Sequence, residues 1–425
     1  MQKWFEIYSS ILYMHFSGNF LALPDSAKSA VSPQKPLMRL LRMAGYTVVR
    51  LLGNLLKVVE KPEKLQGKVW LYVVSQNNYD SLKFISEELQ NVSFVAGQSK
   101  ELGKYNPFVN RLSLRKKLLY YYKFLPLLFL FLKYKKASTL RFFDLLYDSV
   151  GFYEIYLQKL HKYKPAAIVF ANDHNADARA MLLAAKASGI KTIYLQHASV
   201  SPIFPPLAFD LNLLEGHDAL TKYKLCGPIA GKVELIGMPK ADAFVGKRNF
   251  STSIKTVGLG CNLLDDVKEV QRVLQRISSA FPAISFILRP HPRDTRNIAA
   301  LAAMADNIIL SDSRSQSAFE YLQQLDVQIS GNSAIHLEAV MLNIWSIFYE
   351  FNPTQPLPDY YGFIGNKLVD VATSPDHLVS MLESRLQERP RVVEQAQYYN
   401  ATVCTANEGK SAALALAHIK DYIRQ

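Results

Sequence analysis

The sequence predicts an α/β protein of two consecutive domains, each a parallel β-sheet covered by helices. Three observations carry this. The chain has 425 residues, about twice the usual size of one domain. Short apolar runs alternate with helical segments in two series, as they do where parallel strands are joined by crossover helices. A polar, basic stretch, KRNFSTS (247–253), separates the two series. The expected domains are residues 1–246 and 254–425.

Composition narrows the class. Hydrophobic residues make up 49% and charged residues 20% of the chain, which excludes a disordered chain, a collagen-like fibre and a disulfide-stapled miniprotein. Lys and Arg outnumber Asp and Glu by 49 to 36, a net charge of +13. That surplus suits an anionic partner: nucleic acid, an acidic membrane surface or a phosphorylated substrate. Cys226, Cys261 and Cys404 are odd in number, far apart and without C-x-x-C spacing, so a reducing cytosol is expected. The first twenty residues lack an apolar core followed by a small-residue cleavage site, so no signal peptide is expected. No uninterrupted apolar run reaches the roughly 18 residues of a spanning helix.

Residues 1–65 read as helical and basic. In RLLRMAGYTVVRLLGNLLKVVEK (39–61) the apolar residues recur at helical spacing, with Arg39, Arg42, Arg50 and Lys57 among them. An amphipathic helix packed on a domain is expected, a membrane-surface helix being the alternative. KVWLYVVSQ (68–76) and VSFVAG (92–97) read as buried strands flanking a helix at 80–89. Residues 111–141 break the rhythm: they hold nine Lys/Arg and no Asp or Glu. Their apolar middle, 124–132, is too short to span a bilayer. Basic flanks, three consecutive tyrosines and a bulky apolar centre suit a segment lying on an anionic membrane surface, against a core helix with charged ends. A nucleic-acid partner is not expected, because the aromatics are bunched with leucine instead of spaced along a basic groove.

The first series continues with strands at 165–173 and 190–199 and a helix at 176–189 closed by Gly189; FDLNLLEGHDAL (209–220) repeats strand, polar turn and helix start, and GKVELIGMPKADAF (231–244) gives a further strand and a Gly-x-Pro turn. The second begins at IKTVGLGCN (254–262), followed by a helix at 265–281. Further strands fall at 284–292, 307–312, 326–333 and 343–351. Residues 375–425 read as helical.

Parallel strands end on one edge of a sheet, and polar residues at those ends face whatever ligand the sheet binds. ILRPHPRD (287–294) places Arg289, His291 and Arg293 at a strand end, with Pro290 and Pro292 restricting the backbone between them. Imidazole and guanidinium groups there suit a phosphate. ISGNSAIHLEA (329–339) places Ser330, Asn332 and Ser333 where a strand gives way to a helix, whose N-terminal N–H groups suit the same anion. Glu338 follows as a candidate for a ribose diol. In FANDHNADAR (170–179), Asp173 and His174 sit at a strand end, and a carboxylate there can serve as general base. Gln196, His197, Glu215 and His217 sit at two further strand ends and are candidates for acceptor hydroxyls. Asp265 and Asp266 open the first loop of the second series, as catalytic carboxylates or as the cap of the next helix. His174, His197, Asp173 and Glu215 have no helical metal-ligand spacing, so no metal is expected.

RPHP followed by SGNSAIHLEA resembles the nucleotide-binding half of the GT-B glycosyltransferases that build bacterial capsule and lipopolysaccharide, the bacterial sialyltransferases and β-Kdo transferases among them. The resemblance covers roughly 165–350. It maps the family's His-Pro pair onto His291 and Pro292, and its serine motif onto Ser330, Asn332 and Ser333. Gly331 and Asn332 separate the two serines where some members have adjacent Ser-Ser or Ser-Thr. FANDHNADAR is similar to the family's acidic motif, which has paired acids followed by Gly. The resemblance implies a GT-B-like fold, two Rossmann-like domains facing each other across a cleft. It also implies a CMP-activated acidic sugar, Kdo or sialic-type, as donor, with no separate cofactor. A saccharide or glycolipid acceptor would be activated by Asp173, or, in a retaining reaction, Asp265 or Asp266 would act as nucleophile. Such an enzyme is expected in the cytoplasm, peripheral at the inner face of the membrane. The rivals are a UDP-sugar 2-epimerase, a polyol-phosphate transferase, and a non-catalytic membrane-associated protein of polysaccharide assembly.

Overall fold

The computed structural model describes residues 1–424 except 56–59, 99, 173 and 357. It divides into two compact units: Met1–Leu214 with Ala219–Leu235 and Ala413–Gln425, and Glu215–Asp218 with Ile236–Ala412.

The first unit is built on seven parallel strands, β1 (Val69–Tyr72), β2 (Val92–Gly97), β3 (Asn110–Leu112), β4 (Ala167–Phe170), β5 (Lys191–Leu195), β6 (Leu211–Leu214) and β7 (Lys232–Leu235). Their order is β3-β2-β1-β4-β5-β6-β7. β1 and β4 are buried at every position, because helices cover both faces of the sheet. This is why the strands read as continuous apolar runs, with no alternation. The chain winds outward from β1 to β3 and then crosses back to β4 on the other side of β1. The strand ends of β1 and β4 therefore flank a switch point, where doubly wound sheets bind their ligands.

The second unit repeats the plan with β8 (Thr256–Gly260), β9 (Ser285–Arg289), β10 (Ile308–Leu310), β11 (Val327–Ser330), β12 (Trp345–Tyr349) and β13 (Asp370–Ala372), in the order β10-β9-β8-β11-β12-β13. Its switch point lies between β8 and β11. The helix Val267–Ala280 shows how the sequence builds the flanking layer. Asp266 caps it by accepting the Lys268 N–H at 3.0 Å, and Val270, Val273, Leu274 and Ile277 are buried on one face. Each such side chain contributes about 1.5–3 kcal/mol by leaving water.

Several expectations change. The division falls at Leu235/Ile236, and 247–253 is no free linker. The Arg248 guanidinium pairs with Glu408 at 2.6 Å, and Asn249 donates to the Leu325 carbonyl and to Asp326, both at 2.8 Å. These bonds fix the stretch within the second unit. Glu215–Asp218 also joins that unit. The Glu215 carbonyl accepts the Ala401 N–H at 2.9 Å, and a Cβ on Gly216 would lie 2.4 Å from the Tyr399 carbonyl oxygen. From Ala413 the last helix, Ser411–Arg424, belongs to the first unit, where Lys191 donates to the Tyr422 and Ile423 carbonyls. Residues 375–425 are not continuously helical. The helix Pro375–Arg385 ends shortly before Pro390, which cannot continue a helix hydrogen-bond ladder, and 3-10 and turn structure fills the gap.

Segment 111–141 opens with the end of β3 and a 3-10 stretch, Arg115–Lys123. The helix Phe124–Tyr134 follows, and the helix Lys136–Ser149 begins before the segment ends. Part of its basic charge is internal. Lys117 is wholly buried with its Nζ 3.7 Å from Asp148, and Lys123 pairs with Glu154 at 2.5 Å. Among the described residues no helix is long and apolar enough to cross a membrane. Lys57 lies outside them.

Candidate active site

The loops after β8, β9 and β11 leave the same edge of the second sheet, since all three strands run parallel. Adjacent strands lie about 4.8 Å apart, so the three loops share a front about 10 Å wide. On the β9 loop the His291 Nδ1 accepts the Arg293 N–H at 3.1 Å. That assigns the ring proton to Nε2, leaving an N–H donor at the far side of the ring. Burial, with Arg293 adding to it, holds the imidazole below its ordinary pKa, which keeps the ring neutral at neutral pH. Arg293 and Pro292 are exposed. Arg289 is buried and committed elsewhere: it donates to the Ser311 hydroxyl at 2.9 Å and the Gln316 carbonyl at 2.7 Å, with its guanidinium over the Tyr321 ring. It positions the neighbouring loop.

The β11 turn divides its residues in the same way. Ser330 is 1% exposed and donates to the Gly260 carbonyl at 2.7 Å, linking β11 to β8. The Asn332 amide donates to the Pro358 carbonyl at 2.6 Å, and the Ser333 hydroxyl accepts the Ile335 N–H at 3.4 Å. Buried His336 grips the turn from below, its Nε2 2.9 Å from the Gly331 carbonyl and its Nδ1 2.7 Å from the Ser346 hydroxyl. Among the described residues, the N–H groups of Asn332, Ser333 and Ala334 donate to no acceptor. Consecutive undirected N–H groups of this kind suit an anion.

Asp265 closes the β8 loop onto the β11 turn. It is 5% exposed, accepts the Asn262 N–H at 2.7 Å, and would lie 3.1 Å from a Cβ on Gly331. Burial pushes its carboxyl up to about 7, with Glu350 and Asp294 adding, against the pull of the Asn262 N–H and Arg296. Arg296, which the sequence reading passed over, holds the loops together. It pairs with Asp294 at 2.6 Å and donates to the Asn262 carbonyl at 2.7 Å and to the Asp265 carbonyl. Its signal was the Asp-x-Arg spacing just after RPHP. The unfolded chain releases the Asp265 proton near pH 4 and the folded chain near 7, so the folded state holds more protons in that window and stability falls as pH rises through it. Asp265→Asn is expected to remove this loss and raise stability by about 2–4 kcal/mol at about pH 8, with roughly a third of that gain at about pH 5, where the unfolded chain has already released the proton. Urea midpoints at the two pH values check it.

Glu338 pairs with Lys240 at 2.6 Å. Glu215 is buried nearby in the same unit. Desolvation pushes its carboxyl up to about 7, with Lys240 pulling it down and Glu338 and Asp218 raising it. These carboxylates thus share one lysine, while His217 is exposed at the start of the helix His217–Cys226.

At the β1/β4 switch point of the first unit, Asp173 lies outside the described residues. The turn around it is shaped by capping. The Asn172 side chain accepts the N–H groups of His174 at 3.2 Å and Asn175 at 2.8 Å, and Asn175 caps the helix Ala176–Ala187 through the Asp177 N–H. The His174 ring stacks on Phe204, centroids 4.4 Å apart. The His197 Nε2 lies 3.2 Å from the Asn78 amide, which ties the β5 loop to the first turn of the helix Gln76–Glu88 that follows β1, and the buried Gln196 amide donates to the Ala198 carbonyl at 3.0 Å. Among the described residues no three His, Cys, Asp or Glu converge as a metal would require.

No protein-family model and no curated protein matches the chain. Solved structures share its architecture. A putative UDP-N-acetylglucosamine 2-epimerase from Listeria monocytogenes aligns with a TM-score of 0.56 at 10% identity, over 84% of this chain and 97% of the other. The UDP-GlcNAc 2-epimerase from Neisseria meningitidis, bound to UDP-GlcNAc, gives 0.56 at 12%, over 83% and 100%. The wall teichoic acid polymerase TagF gives 0.53 at 13%, over 91% and 97%. At such identities the likeness is one of fold, and the fold is GT-B-like: two α/β units, each a Rossmann-like parallel sheet.

Proposed function

We propose that the chain is a glycosyltransferase that draws a sugar from a nucleotide-activated donor, with the donor phosphate seated on the β9 loop and the β11 turn. The observation that carries this reading is the His291 ring. Its Nδ1 is occupied by a backbone N–H, so a neutral Nε2–H stands on the same sheet edge as three undirected N–H groups. Donors fixed before the reaction stabilise negative charge as it builds on a departing phosphate, and they need no reorganisation at that moment. Asp266 is committed to capping, and Asp265 sits in a site that disfavours its charged form. Neither is set as a nucleophile, which favours an inverting reaction. The acceptor hydroxyl then needs a general base, for which Asp173 and His174 are the candidates.

The donor we favour is a CMP-activated acidic sugar, Kdo or sialic-type, on the strength of the His-Pro and serine motifs. The second reading, a UDP-sugar 2-epimerase, draws on the fold shared with a protein that holds UDP-GlcNAc. Incubation with CMP-Kdo, CMP-sialic acid, CDP-glycerol and UDP-GlcNAc separates them. Release of CMP from CMP-Kdo or CMP-sialic acid is expected, and CMP release from CDP-glycerol alone would overturn the donor assignment. Conversion of UDP-GlcNAc to its 2-epimer with no CMP release would replace our reading with the second.

A further inference from the structure

The helix Pro36–Leu55 is turned inside out. A helix on a water-exposed surface normally buries its apolar stripe and shows its charges to solvent. Here the inward face carries the arginines. Arg39 and Arg50 are 4% and 9% exposed. Arg39 donates to the Arg141 carbonyl at 2.7 Å, Arg42 lies 3.3 Å from Asp144, and Arg50 lies 2.6 Å from Asp148. The outward face carries Leu37, Leu41, Val48, Val49, Leu51 and Leu52, each between 51% and 67% exposed. The helix Phe124–Tyr134, which like Pro36–Leu55 packs against the helix Lys136–Ser149, adds Leu125 and Phe129, 60% and 71% exposed. So many large apolar side chains exceed the scattered apolar residues of an ordinary surface. The surroundings are cationic. Residues 26–55 and 102–143 contain no Asp or Glu, and Lys35, Lys116, Lys133 and Lys136 are exposed.

We propose that this face docks on an anionic phospholipid bilayer, with the helix Pro36–Leu55 lying in the plane of the interface and its leucines among the acyl chains. Lipid fits where a second copy of the chain does not. A twofold dimer would bring the same cationic rim against itself with no acidic residue to meet it, whereas anionic headgroups meet lysines around an apolar face. The buried arginines explain how the helix is held with its apolar side outward: carboxylates at Asp144 and Asp148 draw the polar face in. The contact is thus centred on Pro36–Leu55, and 111–141, two of whose lysines are internal, contributes its exposed apolar and basic residues. This goes beyond the transferase reading, and its test does not depend on activity.

The test is flotation of the full chain with vesicles of equal parts phosphatidylglycerol and phosphatidylcholine, and with phosphatidylcholine alone. Flotation with the anionic vesicles and much weaker flotation with the neutral ones is expected. The double variant Leu41→Asp/Leu52→Asp should lower partitioning at least about 100-fold, with circular dichroism and melting unchanged because both side chains point outward. Leu41→Ser/Leu52→Ser serves the same purpose should the aspartates disturb the fold. Wild-type protein that stays at the bottom of the gradient, that floats equally with neutral vesicles, or that floats undiminished in the variants overturns the proposal. So does a lipid-free dimer, by light scattering, that the substitutions turn into monomer, since it assigns the face to a second copy.

Discussion

Alanine at His291 is expected to lower kcat about a hundredfold or more, while the dissociation constant of the donor changes less than about threefold. The reason is the timing of the charge. A neutral Nε2–H makes an ordinary hydrogen bond to a phosphate in the bound donor and a stronger one as the leaving group gains charge, so its removal falls mainly on the transition state. His291→Gln places an amide N–H near the position of Nε2 and should restore part of the rate, about tenfold. The pH profile separates a neutral donor from an imidazolium acid. Burial and Arg293 hold the ring below its ordinary pKa, so the rate should be flat through neutral pH and change only on the acid side, where Nδ1 takes a proton and gives up the Arg293 N–H. A rate that falls as pH rises through neutrality, or an alanine variant with full kcat, would remove His291 from the mechanism. A thermal shift with CMP on the variant shows whether the nucleotide still binds when turnover is lost.

The strands were legible because a doubly covered parallel sheet leaves a local trace: VWLY and AIVF are apolar runs of strand length bounded by polar turns. β3 and β13 left none, being three residues long at sheet edges with polar residues in place of an apolar run. The site was legible to the level of loops. Strand-end polar residues do gather at the edge that holds the switch point, but which of them faces a ligand depends on partners far away in sequence. Ser330 is held by Gly260 and Arg289 by Ser311 and Gln316, and nothing in SGNS or RPHP announces this. The helix Pro36–Leu55 teaches the same point. Its period showed an amphipathic helix but not which side faced in, since that is set by Asp144 and Asp148, about a hundred residues on.

Alanine at Asp148 should destabilise the first unit by about 3–4 kcal/mol at about pH 6. Lys117 is wholly buried, its Nζ 3.2 Å from the Phe152 ring centroid, hydrogen-bonded to the Asp148 carbonyl and 3.7 Å from the carboxylate. Arg50 lies 2.6 Å from the same carboxylate. Burial raises the Asp148 pKa, yet Lys117, Arg50 and Lys100 together pull it below its ordinary value. Burial drives Lys117 the other way, down to about 7 even with Asp148 in place. Without Asp148 the lysine stays neutral in the folded chain to lower pH still, while the unfolded chain keeps it charged to about pH 10. Above about pH 7 the ammonium is already lost in both folded proteins, and the variant lacks mainly the Arg50 pair. Below it the wild type takes up a proton that the variant refuses, so the defect grows as pH falls. Urea midpoints at about pH 6 and pH 9 should show the larger loss at the lower value. Equal losses would mean that Lys117 carries no charge in either protein and that Arg50 alone makes the contact. Arg50 belongs to the inward face of Pro36–Leu55, so the same variant should also loosen that helix. Vesicle binding that weakens together with stability would tie the outward apolar face to the carboxylate that holds its arginine inside.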